Sequence, residues 1–365
     1  MKIIQLVYSL SSGGAEKFVV DLANQLAENG NDVTICMLLE EKENRIFNKQ
    51  FLSSKVNFIS LGFDNGFALS KCSRVDNFIR SKKPDIVHCH LNVIPYIFKT
   101  AIFNKKIKFF HTLHNIATNT GGVGFQYYLN KFFYKNNIIR PICISKLCQE
   151  SYEEHYKLHN APYIDNGRAM VNPSKKFKIV KTEVQSYKNS QATKVFIHVA
   201  RCDHQKNQGL LIDAFNLLDK EGYDYNLLII GRDFDSANGK KLQERANPKI
   251  KFLGEKNNVN DYLLCSDAFC LSSIYEGLPI SLLEALSCGI TPICTPVGGV
   301  PDVIKDGENG YLSKGFETND YCKAIRKFIE KPINKNLLVN FYKKNYSMEV
   351  CAGKYEEYFK TKIND

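Results

Sequence analysis

Apolar residues in this chain fall into short runs separated by stretches of helical period. KIIQLVY at residues 2–8 is followed by polar, glycine-rich SLSSGGAEK. Phe18, Val19, Leu22, Ala23 and Leu26 then recur at i, i+1, i+4, i+5 and i+8, closed by Asn29-Gly30, which is the pattern of a helix with one buried face and a glycine stop. The next run, DVTICML, completes a βαβ unit. The alternation goes on through VNFIS, a helix ending before KKPDIVHCH, the strand within that stretch, a helix to Phe103, KIKFFHTLH and PICIS. After Asn166-Gly167 the chain turns polar and lysine-rich (NPSKKFKIVKTEVQSYKNSQ), which is read as a linker. A second alternation follows: strand KVFIHVA, helix QGLLIDAFNLL, strand NLLIIG, a helix near 238–246, strand KIKFLG, helix NVNDYLLC, strand AFCLSS, helix PISLLEALSCG, strand TPICT and a closing NGYLS.

Strands that alternate with helices predict an α/β protein with parallel, doubly wound sheets. The expected architecture is two Rossmann-like domains, residues 1–170 and 171–347, facing a central cleft lined by strand carboxyl ends and helix N-termini. A helix in 348–365 is expected to cross back to the first domain. The 365 residues, 44% hydrophobic and 24% charged, suit two globular domains of roughly 100–200 residues each.

Composition narrows the setting. The first apolar run stops at Ser9, Ser11 and Ser12, too early for a secretory h-region, and no window reaches the roughly 18 apolar residues of a membrane-spanning helix. Twelve cysteines are scattered without a C-x-x-C pair, the usage of buried thiols in a cytosolic protein. The net charge of +11 calls for an anionic partner. Seven Lys or Arg and no Asp or Glu lie between Ala101 and Gln149, where Phe125, Tyr128, Phe132 and Phe133 interleave with Lys131, Lys135 and Arg140. Two readings fit: a helix that buries its rings, or one that lies on an anionic membrane surface. No RNA-binding signature accompanies these residues, so nucleic acid is not an expected partner. The expected location is the cytoplasm, with the inner face of the membrane as a candidate contact.

The chemistry concentrates after two strands. In EGLPISLLEA, Pro279 suits a helix start, where its missing N–H is no loss, and the backbone around Gly277, Leu278, Pro279 and Ile280 can face an anion. Glu276 stands before that helix and Glu284 within it. Two carboxylates so placed can accept hydroxyls of a sugar and of a ribose, or they can be a cap and a solvated face. KVFIHVA runs into Arg201 and Lys206, which can hold two phosphates or be surface cations. Ser11-Ser12-Gly13-Gly14 and Val297-Gly298-Gly299-Val300-Pro301 each put glycines before a helix. His88-x-His90, His111-x-x-His114 and His155/His159 fall short of a zinc signature, which needs three or four converging ligands, so no metal is expected.

Taken in order, GGAE, HTLHN, Asn166-Gly167, R-x(4)-K at 201–206, Gly231-Arg232-Asp233, EGLPISLLEA, TPVGGVPDVI and DGENGYL resemble the retaining GT-B glycosyltransferases of family 4 over nearly the whole chain. The resemblance implies transfer of a hexose or N-acetylhexosamine from a nucleoside diphosphate sugar, chiefly UDP-linked, to a glycan or lipid-linked glycan hydroxyl in cell-surface polysaccharide or lipopolysaccharide synthesis. It implies a metal-independent reaction without a cofactor. Arg201 and Lys206 would bind the diphosphate, Glu284 the ribose, and Glu276 with Gly277 to Ile280 the donor sugar. His114 would touch the sugar, and Gly13 and Gly14 would line the acceptor side near the phosphates. Asp203 and His204 depart from the family's smaller or apolar residues in the Arg–Lys loop. A sugar-nucleotide epimerase, a glycan phosphorylase and a non-enzymatic sugar-binding scaffold are the alternatives.

Overall fold

The computed structural model describes residues 1–117 and 124–363. Six parallel strands, β1 (Lys2–Val7), β2 (Asp32–Leu39), β3 (Asn57–Phe63), β4 (Ile86–His90), β5 (Lys108–Leu113) and β6 (Ile139–Cys143), form one sheet in the order β3-β2-β1-β4-β5-β6. A second parallel sheet holds β7 (Lys194–Val199), β8 (Tyr225–Ile230), β9 (Ile250–Gly254), β10 (Ala268–Leu271), β11 (Thr291–Cys294) and β12 (Tyr311–Leu312), ordered β12-β11-β10-β7-β8-β9. Counted from its own first strand, the second sheet repeats the first. In each, the winding reverses between the first and fourth strands, the point at which open α/β sheets place ligands.

Burial explains the strands. All six residues of β8, YNLLII, are buried, as expected of a parallel strand covered on both faces by helices. In the second sheet Phe196 sits 5.0 Å from Phe215 and 5.5 Å from Phe328 between ring centroids, which joins β7 to the helices Gln208–Lys220 and Thr318–Glu330. In the first, Val87, Phe109 and Ile139 of the strands share a buried cluster with Ile79, Ile97 and Phe133 of the helices.

The chain divides into a first unit, Met1–Ala169 with Tyr346–Asp365, and a second, Met170–Asn345. In the first unit, the amide of Arg168 donates to the Tyr346 carbonyl at 3.0 Å and that of Met348 to the Arg168 carbonyl at 2.9 Å. The helix Met348–Ile363 buries Tyr355 and Phe359 there, with Phe359 4.6 Å from Phe110.

The stretch read as a linker is largely a helix, Phe177–Ser186, whose Val180 and Val184 are buried one turn apart. Exposed lysines at 175, 176, 178 and 181 hide that short apolar period in the sequence. The helix is fixed to the second unit where Tyr262 donates to Glu183 at 2.8 Å, and the turn before it where the amide and hydroxyl of Ser174 donate to Asp261 at 2.8 and 2.6 Å. The helices Lys146–Tyr156, Thr318–Glu330 and Lys335–Asn345 also lie beyond the sequence reading.

Candidate functional site

In the second unit Arg201 and Lys206 follow the carboxyl end of β7, and Glu276 follows that of β10. Leaving β7, the chain passes Arg201, and the Asp203 carboxylate caps the one-turn helix His204–Lys206 by accepting from the Gln205 amide at 2.9 Å. Asn207 closes that turn in the left-handed region, at φ 49°. Asp203 also takes the Arg201 guanidinium at 3.0 Å, so a residue that departs from the family pattern is the one that orients the arginine. The Arg201 side chain remains about half exposed, at 47%.

Beyond β10 the chain is bonded to that loop at three points. Ser272 donates to the Lys206 carbonyl at 2.9 Å, the Ile274 amide to the Gln205 carbonyl at 2.8 Å, and the Gln205 side chain to the Tyr275 carbonyl at 2.9 Å. Lys206 Nζ and Ser273 Oγ then meet one carboxylate oxygen, Glu276 Oε1, each at 2.6 Å. Glu276 is 6% exposed, and at that depth these two donors take the place of the water that a surface carboxylate would bind. Its other oxygen, Oε2, carries no hydrogen bond among the described residues. The arrangement leaves one anionic acceptor, held by a cation and a hydroxyl, free to take a ligand hydroxyl.

The glycine pair at 298–299 seats this carboxylate's backbone. Gly298 adopts φ +59°, and a Cβ on it would fall 1.9 Å from the Glu276 carbonyl oxygen. The Gly299 amide donates to the Gly277 carbonyl at 2.7 Å. Pro279 is the N-cap, and the helix runs Ile280–Cys288, one residue later than the sequence suggests. Gly277, Leu278 and Pro279 are buried, and Ile280 and Glu284 are partly so, with Glu284 just past the first turn.

Beneath the loop, His198 Nδ1 bonds the Cys270 carbonyl at 2.9 Å, and Gln208 donates to the Arg201 carbonyl at 2.8 Å while its Nε2 lies 3.3 Å from His198 Nε2. Burial pushes His198 down to about 4, so it is neutral at pH 7. Ser272, Ser273, Gln205 and Gln208 are missing from the sequence reading. The S-x-x-E spacing of Ser273 and Glu276, which also marks capping boxes, was the available signal.

Gly13, Gly14 and His114 lie in the first unit. Gly13 is the N-cap of the helix Gly14–Glu28. The Glu16 carboxylate folds back over it, 2.1 Å from where a Cβ would stand, and accepts from Ser11 Oγ at 2.9 Å. His114 follows β5, and its Nε2 lies 2.9 Å from His90 Nδ1, whose Nε2 is 2.6 Å from Gln5 Oε1. His88 bonds Thr112 at 2.7 Å, and Thr112 lies 3.0 Å from the Tyr355 hydroxyl. His111 bonds the Tyr134 hydroxyl at 2.7 Å and the Leu91 carbonyl at 2.9 Å. Burial, with the neighbouring His111, brings His114 to about 3, and burial brings His111 to about 4. His88 and His90 fall well below 6.5 for the same reason, helped by the other imidazoles. Among the described residues no group of three His, Cys, Asp or Glu is arranged to hold a metal ion.

Residues 12–167 match the family described as Glycosyltransferase Family 4, and residues 180–348 match Glycosyl transferases group 1. The chain is 26% identical over 340 residues to the N-acetyl-alpha-D-glucosaminyl L-malate synthase of Bacillus anthracis, covering 90% of this chain and 87% of that protein. It is 24% identical over 332 residues to a Campylobacter jejuni enzyme named GalNAc-alpha-(1->4)-GalNAc-alpha-(1->3)-diNAcBac-PP-undecaprenol alpha-1,4-N-acetyl-D-galactosaminyltransferase, covering 86% and 84%. Its fold superposes with a TM-score of 0.80 on HepE of Anabaena, solved with UDP and glucose, at 17% identity and over 99% and 100% of the two chains. With both halves matched in order along 12–348 and the twin sheets in place, the chain belongs to the family 4 glycosyltransferases and is a hexosyltransferase of the GT-B fold, acting in polysaccharide or glycoconjugate synthesis.

Proposed function

We propose that the enzyme moves a hexose or N-acetylhexosamine, with retention, from a UDP-sugar to a hydroxyl of a lipid-linked glycan on the way to a cell-surface polysaccharide or lipopolysaccharide. The observation that carries this reading is the shared Glu276 oxygen, bonded by Lys206 and Ser273 at 2.6 Å each. It sets a cation beside a sugar-binding carboxylate. In this reading Glu276 Oε2 accepts a donor-sugar hydroxyl, Lys206 and Arg201 take the diphosphate, the backbone at Gly277 to Ile280 faces the sugar, and Glu284 holds the ribose. The unit with Gly13, Gly14 and His114 serves the acceptor side. UDP is favoured because HepE of Anabaena was solved with it, and a lipid-linked acceptor by the name of the Campylobacter jejuni relative.

The chemistry follows from charge. As the glycosidic bond breaks, the leaving diphosphate gains negative charge, so cations and backbone amides aimed at it stabilise the transition state more than the bound substrate. Two fixed cations supply the charge that a divalent ion provides elsewhere, and the reading therefore expects turnover in EDTA. In this reading Glu276 is a binding carboxylate rather than a nucleophile, with Lys206 and Ser273 on one oxygen and a donor-sugar hydroxyl on the other. The test is a thermal-shift and nucleotide-release screen against UDP- and GDP-sugars with EDTA, run on the protein and on Glu284→Ala. A UDP-sugar that stabilises the protein and releases UDP, with weaker stabilisation in Glu284→Ala, is expected. Conversion of the donor to its epimer would overturn the transfer, and equal stabilisation of the variant would overturn the ribose assignment.

A further inference from the structure

The helix Phe125–Lys135 has two unlike faces. Toward the sheet it buries Asn130, Phe133 and Tyr134, and Tyr127 stacks on Tyr156 of the next helix at 5.4 Å. Toward solvent it carries Phe125, Tyr128 and Phe132, exposed by 80%, 69% and 51%. Positions 125, 128, 132 and 135 fall at i, i+3, i+7 and i+10, one stripe of a helix, so the three rings run in line to exposed Lys135. Lys131 flanks them, its Nζ 3.2 Å from the Tyr127 hydroxyl. The sequence allowed either buried or surface rings. The helix has both, since Phe133 goes in and the other three stay out.

Three exposed rings on one helix call for an occupant, because large apolar side chains gather at a surface where something covers them. We propose that this stripe seats the first unit on an anionic lipid bilayer, with Phe125, Tyr128 and Phe132 at the headgroup boundary and Lys131 and Lys135 against lipid phosphates. Charge decides for lipid. Residues 101–149 hold seven cations and no acid, so nothing in the segment repels a negative surface. Phe103, 70% exposed at the end of the preceding crossover helix, and Lys105 and Lys106 after it extend the same composition. The first acids after the segment in the sequence, Glu150, Glu153 and Glu154, ride on the helix Lys146–Tyr156, whose Tyr156 stacks on Tyr127, and Glu153 is 3.1 Å from His159. A symmetric contact with a second copy would set Lys131 and Lys135 against the same lysines, which is unfavourable. A glycan would want carboxylates or amides at the ring edges, whereas the stripe offers one phenol. Rings with flanking lysines are the make-up of helices that lie in the membrane interface, and clustered cations add attraction to anionic lipid.

The chain has no tryptophan, which makes the test direct. In Tyr128→Trp the single indole reports its own surroundings, and in Phe316→Trp an exposed ring of the second unit serves as control. Each is mixed with vesicles of phosphatidylcholine alone and with added phosphatidylglycerol. Emission from Tyr128→Trp is expected to shift to the blue on the anionic vesicles only, and to return as salt shortens the screening distance from about 8 Å. Phe316→Trp should not shift. Lys131→Glu with Lys135→Glu should weaken sedimentation with these vesicles at least about tenfold. Lys175→Glu with Lys178→Glu, the same charge change on exposed lysines of the second unit, should not. Unchanged emission on every vesicle would overturn the proposal, and so would an equal loss in the control pair. A mass that doubles with concentration and reverts in Phe125→Ser with Phe132→Ser would give the stripe to a second copy instead.

Discussion

The two sheets share one strand order and differ in what stands at their carboxyl ends. The first sheet ends in imidazoles: His88, His90, His111 and His114 bond to one another or to Gln5, Thr112 and Tyr134, all driven neutral by burial. The second ends in charge, with Arg201 on Asp203 and Lys206 with Ser273 on Glu276. Topology sets the place for a site, and side chains at strand ends set its chemistry. Neutral rings can exchange hydrogen bonds with hydroxyl-rich ligands. Fixed ions can hold a diphosphate.

The largest effect should come from the charged end. Lys206→Ala is expected to lower kcat/KM by roughly 100- to 1,000-fold, the size seen when one oriented donor to developing charge is removed. Its unfolding midpoint should also fall, because Glu276 is left buried without its cation. His114→Ala removes a neutral partner and should cost about tenfold. Equal losses in the two variants would break the contrast between charged and neutral ends.

Acid should separate the units next. A histidine whose folded value is about 4 against an ordinary 6.5, as for His111 and His198, binds fewer protons folded than unfolded between those values. Stability is therefore complete above about pH 6.5 and declines as pH falls toward 4, by roughly 3 kcal/mol for each such group. In the first unit His88, His90 and His114 are lowered by burial in the same direction as His111, whereas His198 stands in the second. Amide hydrogen exchange at pH 7 and pH 5 should show the first unit opening first, and earlier opening of the second would contradict the neutral-network account.

Ser273→Ala is the smallest and most local change. It removes one of two donors to Glu276 Oε1 and should reduce kcat/KM by about three- to tenfold with the fold intact. A loss as deep as that of Lys206→Ala would mean that the hydroxyl itself touches substrate.

Much of this was legible in the sequence because parallel strands buried on both faces read as plain apolar runs. DVTICML, NLLIIG and TPICT announce themselves, and so does the helix after EGLP. The helix Phe177–Ser186 did not, because two buried valines beside exposed lysines at 175, 176, 178 and 181 give too little period. Glu276 and Lys206 were visible as types, but their pairing was not, since 70 residues of chain separate them. The roles of Gln208 and Ser272 rest on donating to backbone carbonyls, and a carbonyl leaves no trace in a sequence. Asp203 could be seen only as an oddity until its carboxylate was found on Arg201.

One consequence lies in the connectivity. Arg168 and Ser347 pair as a single parallel bridge, and a Cβ on Gly167 would fall 2.3 Å from that of Cys351, so the chain leaves the first unit and re-enters it through touching backbone. In modular terms the second unit is an insert rather than a tandem neighbour. Replacing residues 170–345 by a short flexible tether needs to span only the gap between adjacent strands, and the excised piece carries its own sheet and core. Separate production of the imidazole-rich half and the charged half is the expected outcome of that cut.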